Sequence, residues 1–303
     1  MSVLKVDKLC KKIGKKEILK DVSFELDKGD ILAFIGPNGA GKTTTIKCIL
    51  GLQKIRSGKV FINGYDIEKN FVEAICKVGS IVEEPDVYMY LSGFDNLKLQ
   101  ARMYKHVLVD DIYRVVELVG LESRIHDKVS KYSLGMRQRL GIAMTLLHSP
   151  NLLILDEPTN GLDPEGIKDL RVLLKRLAKS GVAILISSHN LSELESFCNR
   201  VCILSEGKIL EEASIQEVKE MDENKYVLKV DDSKKCQDFL LEYDKIIDKN
   251  HIEVVKDESE IALFIKELAL HDVLIYEVTK LNMTLEEAFI KKARGDKHDS
   301  VNV

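Results

Sequence analysis

Short unbroken runs of aliphatic residues recur along the chain at Ile31–Ile35, Leu152–Leu155, Ala183–Ile186 and Val201–Leu204. Runs of this length without polar alternation are expected of strands buried on both faces, the hallmark of a parallel sheet. Helical segments lie between them, so the pattern predicts an α/β layout. The first thirty residues read differently: Val22–Leu26 alternates in period two and stops at the turn signal Asp27-Lys28-Gly29-Asp30, predicting a β-rich edge. Between about Pro85 and Pro150 strand-type runs cease and helical segments take over, including Val109–Val119 closed by Gly120, which predicts an inserted helical subdomain over about 86–150. A polar stretch, Lys219–Lys225, marks a boundary. Beyond it come the alternating Tyr226–Val230, a helical Ser259–Leu270 and the apolar Val273–Val278, an α+β appendage. Thr284 with Glu287 forms a capping-box pattern opening a last helix through Phe289, and Gly295–Val303 is expected to be loose. The expected division is 1–217 and 218–303.

With 303 residues the chain is long for one core, which agrees with one large and one small domain. Its 45% hydrophobic and 31% charged residues and only 5 prolines leave both parts able to build cores. A formal net charge of −4 gives no general footprint for nucleic acid, so no nucleic-acid partner is expected. The longest apolar runs fall far short of the ~20 residues that cross a bilayer as a helix. The opening Met1-Ser2-Val3-Leu4-Lys5 has no apolar stretch of signal-peptide length, and a cytosolic location is expected. Six cysteines, at 10, 48, 76, 198, 202 and 236, read as reduced structural thiols; the spacing of Cys198 and Cys202 fits one helix face as well as a ligand pair.

Gly36-Pro37-Asn38-Gly39-Ala40-Gly41-Lys42-Thr43 matches G-x-x-x-x-G-K-[ST], the Walker A phosphate loop, and is followed by Thr44 and the apolar helical stretch Ile46–Leu50. The glycines let backbone N–H groups turn inward around a β-phosphate, and a helix starting near Lys42 adds its positive end. Lys42 would reach the β and γ oxygens, and Thr43 would ligate Mg²⁺. Leu152–Leu155 ends in Asp156-Glu157, a buried strand delivering two acids: Asp156 suits Mg²⁺ through its water shell, and Glu157 suits the polarisation of an attacking water. Four aliphatics and two acids are a weak pattern alone; the preceding phosphate loop turns the balance towards ATP and Mg²⁺ chemistry.

Further motifs stand in the order of the ATP-binding-cassette family. Tyr132-Ser133-Leu134-Gly135-Met136-Arg137-Gln138 resembles, in part, the family's L-S-G-G-Q signature at the start of a helix with apolar Met136, Leu140, Ala143 and Leu147. Ser133 and Gly135 keep the hydroxyl and the close backbone approach, and a helix N-terminus is an anion site; the resemblance implies that this loop caps the γ-phosphate of the opposite protomer. Gly161-Leu162-Asp163 resembles the D-loop between two sites, and Ser188-His189 resembles the switch histidine that senses the γ-phosphate, a role suited to a neutral imidazole. The resemblance covers roughly residues 2–217. It implies a P-loop NTPase cassette with a RecA-like core, β-rich edge and helical insertion, plus a small C-terminal extension of the kind seen on drug- and peptide-exporter cassettes.

Two positions depart from the family. Where a glutamine normally links Mg²⁺ and the attacking water to the membrane partner, Val82-Glu83-Glu84-Pro85 places Glu83, still a Mg²⁺ ligand but one that adds negative charge near the phosphates. This substitution and the Tyr-Ser-Leu-Gly-Met signature resemble bacitracin-resistance and lantibiotic-immunity exporters. Ile13 stands where many relatives carry an aromatic on adenine, an apolar wall without stacking. The resemblance implies an ATPase motor, ATP plus water to ADP and phosphate, in which two cassettes, most simply a homodimer, sandwich MgATP and drive a separate transmembrane permease subunit from the cytoplasmic face of the membrane. The alternative is a soluble cassette ATPase acting on ribosomes or DNA. Ribosome-acting relatives usually fuse two cassettes, whereas one Walker A loop is present here; the interval from Lys42 to Asp156 leaves no room for the long coiled coil of DNA-repair relatives.

Overall fold

The computed structural model describes residues 2–189, 194, 196–220, 225–241 and 243–281. The helix expected from Thr284 and the stretch Gly295–Val303 lie outside them. The chain divides between Ile215 and Gln216 into two compact units.

The first unit opens with a hairpin, β1 (Leu4–Ile13) and β2 (Lys16–Leu26), closed by a two-residue loop whose Gly14 has φ 58°. With β4 (Ser57–Ile62) and β5 (Tyr65–Asp66) they form an antiparallel sheet in the order β2-β1-β4-β5. The second sheet has six strands in the order β10-β9-β3-β8-β7-β6. They are β3 (Ile31–Ile35), β6 (Val78–Ile81), β7 (Leu152–Asp156), β8 (Ala183–Ser188), β9 (Arg200–Ser205) and β10 (Lys208–Ser214). All pairings within it are parallel except β10 with β9. Every residue of β3, β7 and β8 is buried, as their aliphatic runs require. Helix α1 (Lys42–Ile49) touches both β2 and β7, and its Ile46, Cys48 and Ile49 join residues of the two sheets in one core.

The segment 86–150 carries α3 (Gly93–Ala101), α4 (Val109–Val119) and α5 (Leu134–Leu146), after the short α2 (Phe71–Ile75). Gly120 ends α4 in the left-handed conformation at φ 66°, the ordinary glycine stop. Helix α6 (Pro164–Lys179) leads into β8 and buries Leu170, Leu173, Leu174 and Leu177 along one stripe.

A short helix, α7 (Ile215–Glu220), follows β10. The second unit is an antiparallel sheet in the order β12-β13-β11-β14, made of β11 (Lys225–Val230), β12 (Lys245–Ile246), β13 (His251–Val255) and β14 (Ile275–Lys280). Helix α8 (Glu258–Leu270) starts at a capping box between Asp257 and Glu260 and packs Ile261, Phe264 and Leu268 on buried Tyr226, Leu228, Ile252 and Val254. In this unit the Asp244 side chain is 1% exposed; it accepts hydrogen bonds from the N–H groups of Leu241 and Val255, both at 2.9 Å, and pairs with Lys256 at 3.0 Å.

All six thiols are free: Cys76 is exposed, Cys10 half-buried and the other four buried. Cys202 sits on strand β9 and Cys198 precedes that strand, so the two do not share a helix face as their spacing allowed. No helix among the described residues is long and apolar enough to cross a membrane.

Candidate nucleotide site

Four strands adjacent in the second sheet, β3, β8, β7 and β6, end on the same side because they run parallel, and the sequence-predicted residues follow those ends. The phosphate loop follows β3, His189 follows β8, Asp156 and Glu157 close β7, and Glu83 comes two residues after β6. Such a line of carboxyl ends is where open α/β sheets bind ligands.

The loop after β3 is shaped by backbone proximity. A Cβ at Gly36 would stand 2.3 Å from the Leu204 carbonyl oxygen, so only glycine fits there; Gly41 has φ 114° and starts α1. Lys42 is 6% exposed, donates to the Gly36 carbonyl at 2.7 Å and stands 3.4 Å from the Glu157 carboxylate. A cleft of about 500 Å³ is lined by Pro37, Asn38, Gly39, Gly41, Lys42, Thr43 and Thr44 together with Glu157 and His189. Gly36 and Ala40 belong to the same loop, Ala40 turned into the core. Lys16, Ile18 and Asn160 also line this cleft and were not singled out from sequence; the position of Asn160 just after Asp156-Glu157 was the available signal. Ile13, at the end of β1, is half exposed and is not among the lining residues.

Glu157 is the best-fixed acid. Its backbone is left-handed at φ 50°, a costly conformation held by its N–H, which donates to both the carbonyl (3.1 Å) and the hydroxyl (3.0 Å) of Ser187. Its carboxylate receives the His189 N–H at 3.2 Å and lies 2.7 Å from His189 Nδ1. Asp156 is buried and accepts the Ser187 hydroxyl through Oδ1. Ser187 pairs with Asp156 in the ladder between β8 and β7, so one hydroxyl orients both acids; as one of two serines between an aliphatic run and His189 it carried no distinguishing mark in the sequence.

A second cavity of about 650 Å³ is lined by Thr43, Glu83, Asp156 and Glu157 on one side and by Leu134, Arg137 and Gln138 of α5 on another. A hydroxyl and carboxylates are the hard oxygen donors Mg²⁺ prefers, and Mg²⁺ takes few protein ligands where phosphates and water supply the rest. Among the described residues no group of three or more His, Cys, Asp or Glu could hold a metal without them. The residues present therefore fit a magnesium nucleotide better than a free ion. Glu83, left-handed at φ 70°, directs its carboxylate to Lys47 at 2.9 Å.

The signature residues occupy the start of α5. Ser133 caps the helix, accepting from Met136 N–H at 3.2 Å, and a Cβ on Gly135 would meet nothing nearer than 3.7 Å, so this helix end is open to an approaching group. Asp163 caps α6 by accepting from Gly166 N–H at 2.9 Å, and Leu134 packs against Gly161. Ser133, Gly135 and Asp163 are not among the residues lining the cleft that holds Lys42.

The ABC transporter family profile matches residues 19–160. An uncharacterised ABC transporter ATP-binding protein of Bacillus subtilis (strain 168), YhcH, is 45% identical over 302 residues, covering 98% of each chain. The chain belongs to the ATP-binding proteins of ABC transporters. The bacitracin transport ATP-binding protein BcrA of Bacillus licheniformis is 38% identical to this ABC protein over 305 residues, covering 97% of this chain and 98% of that one. A solved ATP-binding subunit of an ABC transporter superposes with a TM-score of 0.65 at 32% identity, covering 72% of this chain and 92% of the other. The fold is thus the P-loop ABC cassette.

Proposed function

We propose that this ABC protein hydrolyses ATP as the motor of a transporter, with MgATP clamped between two cassettes and a separate transmembrane permease subunit doing the transport. The observation carrying this reading is the placement of Glu157, backbone-locked by Ser187 and side-chain-locked by His189, with Lys42 3.4 Å away. A triphosphate entering the cleft would take the Lys42 ammonium from Gly36 and Glu157. The freed Glu157 carboxylate then accepts a proton from water as its oxygen bonds to the γ-phosphorus and the bond to the β-phosphate oxygen breaks, giving ADP and phosphate. His189 orients Glu157 and senses the γ-phosphate. Thr43, Asp156 and Glu83 would hold Mg²⁺, which supplies positive charge to the phosphate oxygens. Ser133, Gly135 and Asp163 serve the partner's nucleotide, which accounts for their place outside the Lys42 cleft. Residues 1–217 form the cassette, with 86–150 as its helical part, and 218–303 the accessory domain.

The cargo we propose is a membrane-active peptide antibiotic moved outwards from the cytoplasmic side, on the strength of the similarity to a bacitracin transport protein and of Glu83. Extracting an amphipathic peptide from a bilayer opposes its hydrophobic partitioning and needs an energy source. The test co-expresses the chain with its permease in a susceptible strain and measures inhibitory concentrations for bacitracin, a lantibiotic and an unrelated cytosolic antibiotic. Glu157→Gln should bind MgATP, lose hydrolysis by about 10²–10⁴-fold and abolish protection. Equal protection by both forms would refute the motor role, and protection against neither peptide would refute the cargo.

A further inference from the structure

Glu83 and Lys47 form a pair that the reading above does not use. Lys47 lies four residues after Thr43 on α1, so the two side chains share one helix face, with the ammonium one turn behind the hydroxyl that would meet Mg²⁺. Glu83 reaches this ammonium at 2.9 Å while also lining the cavity that contains Thr43 and Asp156. Its left-handed backbone at φ 70° is a costly conformation for a glutamate, and it sets the direction in which the side chain leaves the loop. The other charged groups at this cavity are Glu84, Asp86, Asp156 and Glu157 on the acidic side and Arg137 on the basic side. Within hydrogen-bonding distance of Glu83, the described structure gives Lys47 as the cation. The glutamate side chain is 70% exposed and that of Lys47 29%, so water screens the pair and the carboxylate is held loosely.

We infer that Lys47 is a positioning residue that competes with Mg²⁺ for the Glu83 carboxylate. With Lys47 engaged, the acid that stands in place of an amide is neutralised and kept to the α1 side of the cavity. When a magnesium nucleotide occupies the site, the same carboxylate passes from ammonium to metal, and Lys47 is released to solvent. An uncharged amide at position 83 would form no ion pair with Lys47, so the device depends on the glutamate. The inference rests on the MgATP reading of the site.

The test is calorimetric binding of a non-hydrolysable imido analogue of ATP over a series of free Mg²⁺ concentrations, in the wild type, Lys47→Met, Glu83→Gln and the double variant. Removing the lysine charge attracts Mg²⁺ by simple electrostatics whichever residue occupies position 83, and that part is additive. Competition adds a part that exists only with Glu83. Lys47→Met should therefore lower the Mg²⁺ concentration for half-maximal binding by about fivefold with glutamate present, in the range of coupling between contacting side chains, and by no more than about twofold in the Glu83→Gln background. Equal shifts in the two backgrounds overturn the inference. Binding without Mg²⁺ and the melting temperature, both expected to stay near wild type in Lys47→Met, separate this from damage to the fold; a loss of both that accounts for the shift also overturns it. A wild type that binds no nucleotide at any Mg²⁺ concentration overturns the MgATP reading along with it, whereas normal wild-type binding without coupling overturns the competition alone.

Discussion

The six-stranded sheet of the first unit and the four-stranded sheet of the second are stabilised by similar aliphatic side chains yet do different work. In the first, β3, β7 and β8 are buried over their whole length, and parallel pairing brings their carboxyl ends together, so the polar residues that follow them gather along one edge. In the second, β11 and β13 bury alternate residues, β14 is exposed along nearly all its length, and antiparallel pairing sends successive strand ends to opposite sides. A parallel sheet concentrates loop chemistry at one edge; an antiparallel sheet disperses it. Among the described residues the second unit's most protected charged contact is the internal tie between Asp244 and Lys256.

The sharpest way to break this contrast is Lys42→Ala. Lys42 is the cation of the phosphate loop, and its loss should take ATP hydrolysis to background and weaken nucleotide binding by tenfold or more, read by calorimetry and phosphate release. Retained hydrolysis would move the phosphate site elsewhere. Leu228→Ala makes the reciprocal cut: it opens a cavity in the second core at a cost of about 3 kcal/mol, yet should leave the dissociation constant for ATP unchanged. Scanning calorimetry should show a lowered transition that ATP does not raise, since a ligand stabilises only the unit it binds.

Asp244→Asn should cost somewhat less, about 2 kcal/mol, by leaving the Lys256 ammonium buried beside an uncharged amide. The same residue predicts a pH dependence. Burial pushes the Asp244 pKa up, but the Leu241 and Val255 N–H groups and the Lys256 ammonium together outweigh it and hold the carboxyl below its usual range. A depressed folded-state pKa means the contribution is present in full above the unfolded value of about 3.9 and is lost as pH falls through the folded one. Acid should therefore weaken the second unit in wild type more than in Asp244→Asn, measured as melting temperature from pH 5 downwards.

The smallest expected effect is Ile13→Tyr, which should tighten ATP binding by about fivefold if the new ring stacks on adenine, a contact of ~1 kcal/mol. An unchanged constant would assign the base to the wall formed by Lys16 and Ile18.

Strands made of aliphatic residues alone, such as Ile31–Ile35 and Leu152–Leu155, were legible because burial on both faces leaves no other composition. Strand β6 was not, because Gly79 and Ser80 interrupt it. The glycine answers to a neighbour distant in sequence: a Cβ there would lie 2.7 Å from the Thr145 carbonyl oxygen of α5. The same limit applied at the site. Lys42 stands in a phosphate-loop motif, Asp156 and Glu157 were singled out beside it, and His189 through the family resemblance, whereas the Ser187 hydroxyl on Asp156 and the Lys47 ammonium on Glu83 are pairings between separate elements. Local patterns mark the candidate groups, and tertiary contacts decide which way they point.

The distribution of thiols gives the molecule a practical address. Burial pushes the pKa values of Cys48, Cys198, Cys202 and Cys236 up, so these four resist alkylation; the sulfurs of Cys10 and Cys76 both donate at 3.2 Å, to Asp21 and to the Glu73 carbonyl, but Cys10 is half-buried. Cys76 is exposed immediately after α2 and two residues before β6, the strand that carries the chain towards Glu83. A maleimide dye applied at neutral pH should therefore attach there first, in the unmodified protein and without a cysteine-free background. Such a reporter would sit at the opposite end of a four-residue strand from the cavity that Glu83 lines, near enough to register movement of that strand.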